Sequence, residues 1–174
     1  MKKLILAILM VCSSALAMAQ TDDFYFDRSN FWSLGIETRM STAITDFIDD
    51  EYGSIDLEAQ IGYHIDDDWS IHIPLTLSNN IFYETRTFVE QIYLGISAEY
   101  RALERSDYSM FIVPKIQSTL GNRWGAMSYD LGFKFEWRQN PYVTCGVRYI
   151  DTYKSAIKSK PCIYFSFGFR FGFK

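Results

Sequence analysis

Little in this chain could build a helical membrane anchor. Beyond its first residues, no stretch approaches the roughly 18 consecutive apolar residues that a membrane helix needs. There is no long helical period, no repeat of fixed length and no low-complexity linker, which excludes helical bundles and solenoids. Cysteine is scarce, with 3 in 174 residues. Cys12 sits in the N-terminal apolar run, leaving Cys145 and Cys162 for the rest of the chain. A hairpin turn near Ile157 would set Cys145 opposite a residue near Phe169 rather than opposite Cys162, so no disulfide is expected. Positive charge is not in excess either: the formal charge is -4, and no bulk attraction for nucleic acid follows.

The N-terminus reads as an export signal. Lys2 and Lys3 precede the apolar run Leu4 to Val11, and the small residues Ala17-Met18-Ala19 close it. That order of charged, apolar and small residues is a secretory signal peptide over residues 1–19, cut before Gln20. Loss of Lys2 and Lys3 takes the formal charge from -4 to -6, since the segment holds no acid.

What is present is alternation. About eight segments of roughly ten residues each alternate apolar and polar side chains, separated by turn-like stretches. They run approximately from Phe31 to Met40, Ser54 to Ile65, Trp69 to Ser78, Phe88 to Arg101, Tyr108 to Thr119, Gly125 to Trp137, Tyr142 to Tyr153 and Cys162 to Phe173. One all-β domain is therefore expected over 31–174, behind a short polar tail from Gln20 to Asn30. The connections after the second, fourth and sixth segments are tight, at Asp66 to Asp68, Ala102 to Asp107 and Gln139 to Pro141. Those after the first, third and seventh look long, at Ser41 to Gly53, Asn79 to Thr87 and Lys154 to Pro161, with Leu120 to Trp124 an exception. Short turns at one end and long loops at the other characterise an up-and-down outer-membrane barrel.

The polar faces decide which side is inside. One face of the second segment carries Asp56, Glu58, Gln60 and Gly62, and one face of the sixth carries Ser128, Asp130, Gly132, Lys134 and Glu136. The last segment sets Ser166, Gly168, Arg170 and Gly172 between Phe165, Phe167, Phe169, Phe171 and Phe173. Glycine weakens a strand unless something packs closely against it, which the interior of a narrow barrel supplies. Five phenylalanines would overfill that interior. Small and charged residues therefore point in, aromatics and aliphatics point out, and an outward apolar belt on a closed barrel needs lipid as its solvent. A soluble lipocalin-like barrel would want the reverse polarity.

A ring of aromatics supports this orientation. Trp32, Tyr63, Trp69, Tyr100, Tyr108, Trp137 and Phe173 all fall outward and at one end, as a girdle at the periplasmic interface would. An opposite girdle at Met40, Phe88 and Tyr149 is less distinct.

Together, the export signal, the eight segments, the loop asymmetry and the final strand GFRFGFK resemble the small eight-stranded outer-membrane barrels of the OmpA and OmpX kind. The resemblance implies a closed antiparallel up-and-down transmembrane β-barrel in the outer membrane of a Gram-negative bacterium, folded as a monomer with the barrel-assembly machinery. That machinery reads an aromatic last residue in this family; here Phe173 is penultimate and Lys174 is last. Pro74 and Pro114 also depart from the pattern, and a bulge or strand end is expected at each.

Inside the barrel, parity gathers Glu37, Asp56, Glu58, Glu99, Asp130 and Glu136 against Arg39, Arg101, Lys115, Lys134, Arg148 and Arg170, with His72 on the same face. Near-neutrality is what confined charges require. The first reading is a salt-bridged plug filling the lumen; a narrow porin-like path through a rearranging network is the sharper one. Catalysis on this scaffold, as in barrels that modify lipid A, would need a base and nucleophile on one face. Neither His64 nor His72 has a serine two residues on, although Ser70 precedes His72 by two. No catalytic site, metal or cofactor is expected. Asp49-Asp50-Glu51 offers adjacent oxygen ligands without a glycine-set loop, a weak cation signal. The acidic loop 41–53 and the lysine-bearing loop 154–161 could meet lipopolysaccharide, a surface protein or another ligand.

Overall fold

The computed structural model describes residues 31–44, 52–82, 87–121, 125–137, 141–153 and 159–173. The signal peptide, the tail, the centres of the acidic and lysine-bearing loops, the turn 138–140 and Lys174 lie outside the described residues.

Eight strands follow one another: β1 (Phe31–Ala43), β2 (Tyr52–His64), β3 (Trp69–Phe82), β4 (Thr87–Glu104), β5 (Tyr108–Thr119), β6 (Ala126–Trp137), β7 (Pro141–Thr152) and β8 (Lys160–Phe173). Each pairs with its sequence neighbours, and β1 also pairs with β8, so the sheet closes into an all-antiparallel up-and-down barrel. Closure removes every free edge. Period-two alternation is kept along the walls. In β6, Ser128, Asp130, Lys134 and Glu136 are buried, while Tyr129, Leu131, Phe133 and Trp137 are exposed on the outside. At the tight β2–β3 turn, the Asp66 carboxylate accepts hydrogen bonds from the Asp68 and Trp69 amides at 2.8 and 2.7 Å, an Asx-type closure.

Several expectations are corrected. The third connection shrinks to residues 83–86, because Asn79 and Asn80 continue the β3–β4 ladder opposite Glu90 and Val89. Asparagine reads as a turn residue, but a polar lumen lets Asn80 stay in a strand: its side chain is buried and accepts from the Tyr52 hydroxyl at 2.6 Å. The loop asymmetry therefore rests on the first, fifth and seventh connections, which leave eight, six and seven residues between strands against three or four elsewhere. Pro74 and Pro114 cause neither bulge nor strand end. The register runs unshifted past both, and the irregularity in β4–β5 falls between Arg101 and Leu103. Each proline interrupts the ladder on one flank only, so the strand carries on along the other.

The cysteine register also differs. Cys145 lies opposite Phe165 and Cys162 opposite Arg148, because β8 starts earlier than its sequence suggests. Both cysteines are free, Cys145 exposed and Cys162 buried.

Candidate functional site

The seven girdle residues fall into three cross-strand groups. Trp32 lies opposite both Tyr63 and Phe173, Trp69 opposite Tyr100, and Tyr108 opposite Trp137. The Trp32–Tyr63 and Trp69–Tyr100 rings touch at 5.1 and 4.8 Å between centroids. Met40 and Tyr149 are exposed on the outside towards the other end, and the Phe88 side chain lies outside the described residues.

The lumen holds the predicted charges in two layers. The layer farther from the girdle is built around Arg39 and Arg148. Arg39 contacts Glu37, Glu58 at 3.0 Å and Asp130 at 3.0 Å. Arg148 reaches Asp56 at 2.7 Å and Asp130 at 3.0 Å, and Lys115 reaches Glu58 at 2.6 Å. Four carboxylates here face three cations. Hydroxyls supply the remaining donors: Thr76 donates to Glu58 at 2.8 Å and Ser78 to Asp56 at 2.6 Å. Asp56 and Glu58 are both 0% exposed, so a charge lost here cannot be replaced by water.

The layer nearer the girdle centres on Glu99. It accepts from Arg170 at 2.6 Å and contacts Lys134 at 2.5 Å, while Glu136 contacts Arg170 at 3.1 Å and Lys134 at 3.4 Å. Two carboxylates thus meet two cations. Arg101 does not join either layer. It sits at the strand end and pairs with Asp68 at 3.0 Å and Glu104 at 2.8 Å, since beside the bulge its side chain reaches the turns rather than the lumen.

His72 belongs to the second layer. Ser70 Oγ lies 2.9 Å from His72 Nε2, and Glu99 Oε2 lies 3.5 Å from the same nitrogen. His72 Nδ1 has no hydrogen-bond partner. A serine–histidine–acid relay uses the two ring nitrogens separately, one for the nucleophile and one for the acid. His64, two residues on from Gly62 along the polar face of β2, is a further lumen residue. It stacks on Phe31 at 4.1 Å, meets Ser33 Oγ at 3.1 Å and packs edge-on to His72 at 5.7 Å.

Aromatics also point inward, contrary to the expectation that they all face out. Tyr142 and Tyr164 lie buried between the cations: the Arg39 guanidinium stands 4.8 Å from the Tyr164 ring centre, and the Lys134 ammonium 5.1 Å from that of Tyr142. Each is worth a modest cation–π attraction, larger when desolvated. Glycines make room for them. A Cβ at Gly132 would meet the Tyr164 hydroxyl at 2.2 Å, and one at Gly168 would meet the Tyr142 ring at 2.5 Å. The signal was available: Tyr142 shares parity with Thr144, Gly146 and Arg148, and Tyr164 with Ser166, Gly168 and Arg170. At the end away from the girdle, Ala43, Tyr52, Tyr93, Ala126, Ile150 and Cys162 form an apolar cap over the charged layers. Tyr52 and Tyr93 turn their hydroxyls to Asn80 and Gln91, each at 2.6 Å.

No family model and no curated protein matches the sequence. Among solved structures, Neisserial surface protein A aligns with a TM-score of 0.56 and 17% identity over 82% of this chain and 97% of its own. The chain has the fold of the small eight-stranded outer-membrane barrels. A de novo designed transmembrane β-barrel aligns with a TM-score of 0.48 and 7% identity, over 82% of this chain and 97% of that one. The Yersinia pestis outer membrane protein Ail, solved in a phospholipid bilayer nanodisc, aligns with a TM-score of 0.46 and 12% identity, over 82% and 100%.

Proposed function

We propose that this chain is an integral outer-membrane barrel with a closed, ion-paired lumen, acting as a structural or interaction protein through its external loops. The observation that carries the reading is inverted polarity. Buried positions hold Arg39, Asp56, Glu58, Lys134, Arg148 and Arg170, while Ile61, Ile73, Ile96, Phe133, Phe165 and Phe167 are exposed. Water would not favour that arrangement, and lipid requires it. The belt has the right height. From Trp69 to Leu77, or from Met127 to Trp137, about nine to eleven residues at about 3.3 Å each and a tilt of about 40° give roughly 23–28 Å, against an apolar band of about 25 Å in such proteins. Extraction only with detergent and a heat-modifiable gel shift are expected; a protein that stays soluble without detergent would overturn the reading.

The plug is supported by the two charged layers and the apolar cap above them. Planar bilayers containing the purified protein should stay electrically silent, and a steady conductance step would replace the plug with a pore. Loops 41–53 and 154–161 are proposed to meet lipopolysaccharide, a surface protein or another ligand, with no cofactor and as a monomer. Catalysis at Ser70 and His72 draws no support from their geometry. Lipid A that is identical with and without the protein is the expected result; an altered acylation pattern that His72→Ala abolishes would restore the enzyme reading.

A further inference from the structure

β4 carries three irregularities in the half nearest the girdle. On its β3 side, Ser97 pairs with His72 and Leu94 with Leu75, but the ladder holds no pair at Ile73 or Pro74. Proline has no N–H, so the Gly95 carbonyl opposite Pro74 receives no donor from β3. On its β5 side, Ser97 pairs with Lys115 and Tyr100 with Ile112, but Val113 and Pro114 are unpaired. The Ala98 carbonyl opposite Pro114 loses its donor in the same way. The third irregularity is the register shift between Arg101 and Leu103. In a hydrocarbon surround no water replaces a missing ladder bond.

Side chains bridge what the backbone leaves open. Glu99 lies inside this stretch and is gripped from β8 by Arg170 at 2.6 Å, from β6 by Lys134 at 2.5 Å and from β3 by His72 at 3.5 Å. At the strand end, the Arg101 amide donates to the Asp68 carbonyl at 2.8 Å and its guanidinium pairs with Asp68 and Glu104. We propose that residues 95–102 of β4 are a yielding panel in the barrel wall, fastened from the lumen by Glu99 and from the strand end by Arg101. The wall then opens first at β4, on both flanks of one strand, and the ion network near the girdle doubles as its latch. The device rests on the reading of the chain as a membrane barrel, but its test reads the backbone and is independent of whether the lumen conducts.

Amide hydrogen exchange on the full mature chain in phospholipid nanodiscs tests it, with heat-modifiable migration first confirming a folded barrel. Residues 33–37 of β1 stand as far from the girdle as 95–99 of β4 and serve as the internal reference. The β4 amides should exchange about tenfold faster than that reference, the scale of one missing hydrogen bond. Pro74→Ala with Pro114→Ala, which restores both donors, should slow them to the reference rate, and Glu99→Gln should speed them further. Equal rates in β1 and β4, or β4 rates indifferent to the two alanines, would overturn the panel. Unchanged exchange in Glu99→Gln would overturn the latch. If Glu99→Gln yields no folded barrel, Lys134→Gln, which removes one grip and leaves Arg170 on Glu99, reads the latch in the same way.

Discussion

Charge counting in the layer around Arg39 gives a prediction opposite to contact counting. Glu37 and Arg39 are neighbours on β1, both buried, and they touch each other. Removing either deletes that pair, yet the consequences should differ widely. Arg39→Met strips a cation from Glu37, Glu58 and Asp130 together, leaving four carboxylates against Lys115 and Arg148. Removing one partner of a buried ion pair costs about 3–5 kcal/mol, because the other charge stays buried without compensation. At about 1.4 kcal/mol per tenfold, the folded-to-unfolded ratio should fall by roughly a hundredfold to a few thousandfold. Glu37→Gln instead leaves three carboxylates facing three cations, and Arg39 keeps Glu58 and Asp130. Its cost should stay below about 1 kcal/mol, within reach of one lost hydrogen bond. The double variant should recover more than about 1 kcal/mol of the Arg39→Met loss, as coupled neighbours do. Urea unfolding in lipid vesicles, followed by tryptophan emission and gel shift, measures all three. If Glu37→Gln proves as damaging as Arg39→Met, the charge balance of the layer does not govern its stability.

Three further outcomes are expected. Gly132→Ala should destabilise by about 1–3 kcal/mol through overpacking, since its methyl would meet the Tyr164 hydroxyl at 2.2 Å; Tyr164→Phe should recover part of the loss in the same unfolding assay, and no recovery would mean the clash lies elsewhere. In vesicles, Cys145 should react with a membrane-soluble maleimide but not with a charged one, while Cys162 reacts with neither until the barrel unfolds; labelling of Cys162 in the folded protein would contradict its burial. Lipids brominated near the headgroup should quench Trp32, Trp69 and Trp137 more than lipids brominated at the chain end, measured in variants retaining one tryptophan each; stronger quenching from the chain end would move the girdle away from the interface.

Much of the barrel was legible because one period does two jobs. A period of two builds the strand, and in a barrel apolar outside and charged inside it also sorts polarity, so Glu58, Asp130 and Arg148 can be placed in the lumen from parity alone. The pairing was not legible. Arg39 and Asp130 meet across 91 positions of sequence, a contact set by how far closed strands stagger rather than by any local pattern. Tyr142 and Tyr164 depart from the outward rule because the volume that admits them is made by glycines on the paired strand, Gly168 opposite Tyr142 and Gly146 opposite Tyr164, with Gly132 one strand farther on. Asn79 and Asn80 looked like a turn because asparagine favours turns in water, and a polar lumen removes that argument. Arg101 obeys parity yet leaves the network, since the shift beside it redirects the strand end.

The order of layers along the axis bears on how the two parts of the molecule communicate. The apolar cap of Ala43, Tyr52, Tyr93, Ala126, Ile150 and Cys162 lies between the ionic layers and the loop end. Tyr52 and Tyr93 are bound to Asn80 and Gln91, and Ser78 connects Asn80 to Asp56 at 3.3 and 2.6 Å. The four carboxylates beneath it are buried, which strengthens their pairing and raises the cost of disturbing it. A ligand engaging the loops would therefore meet a seam of neutral hydrogen bonds before any charge. Moving a charge would require desolvated partners to separate in concert, whereas rotating a tyrosine would not. Under the proposed function, recognition by the loops would leave the buried ion pairs undisturbed.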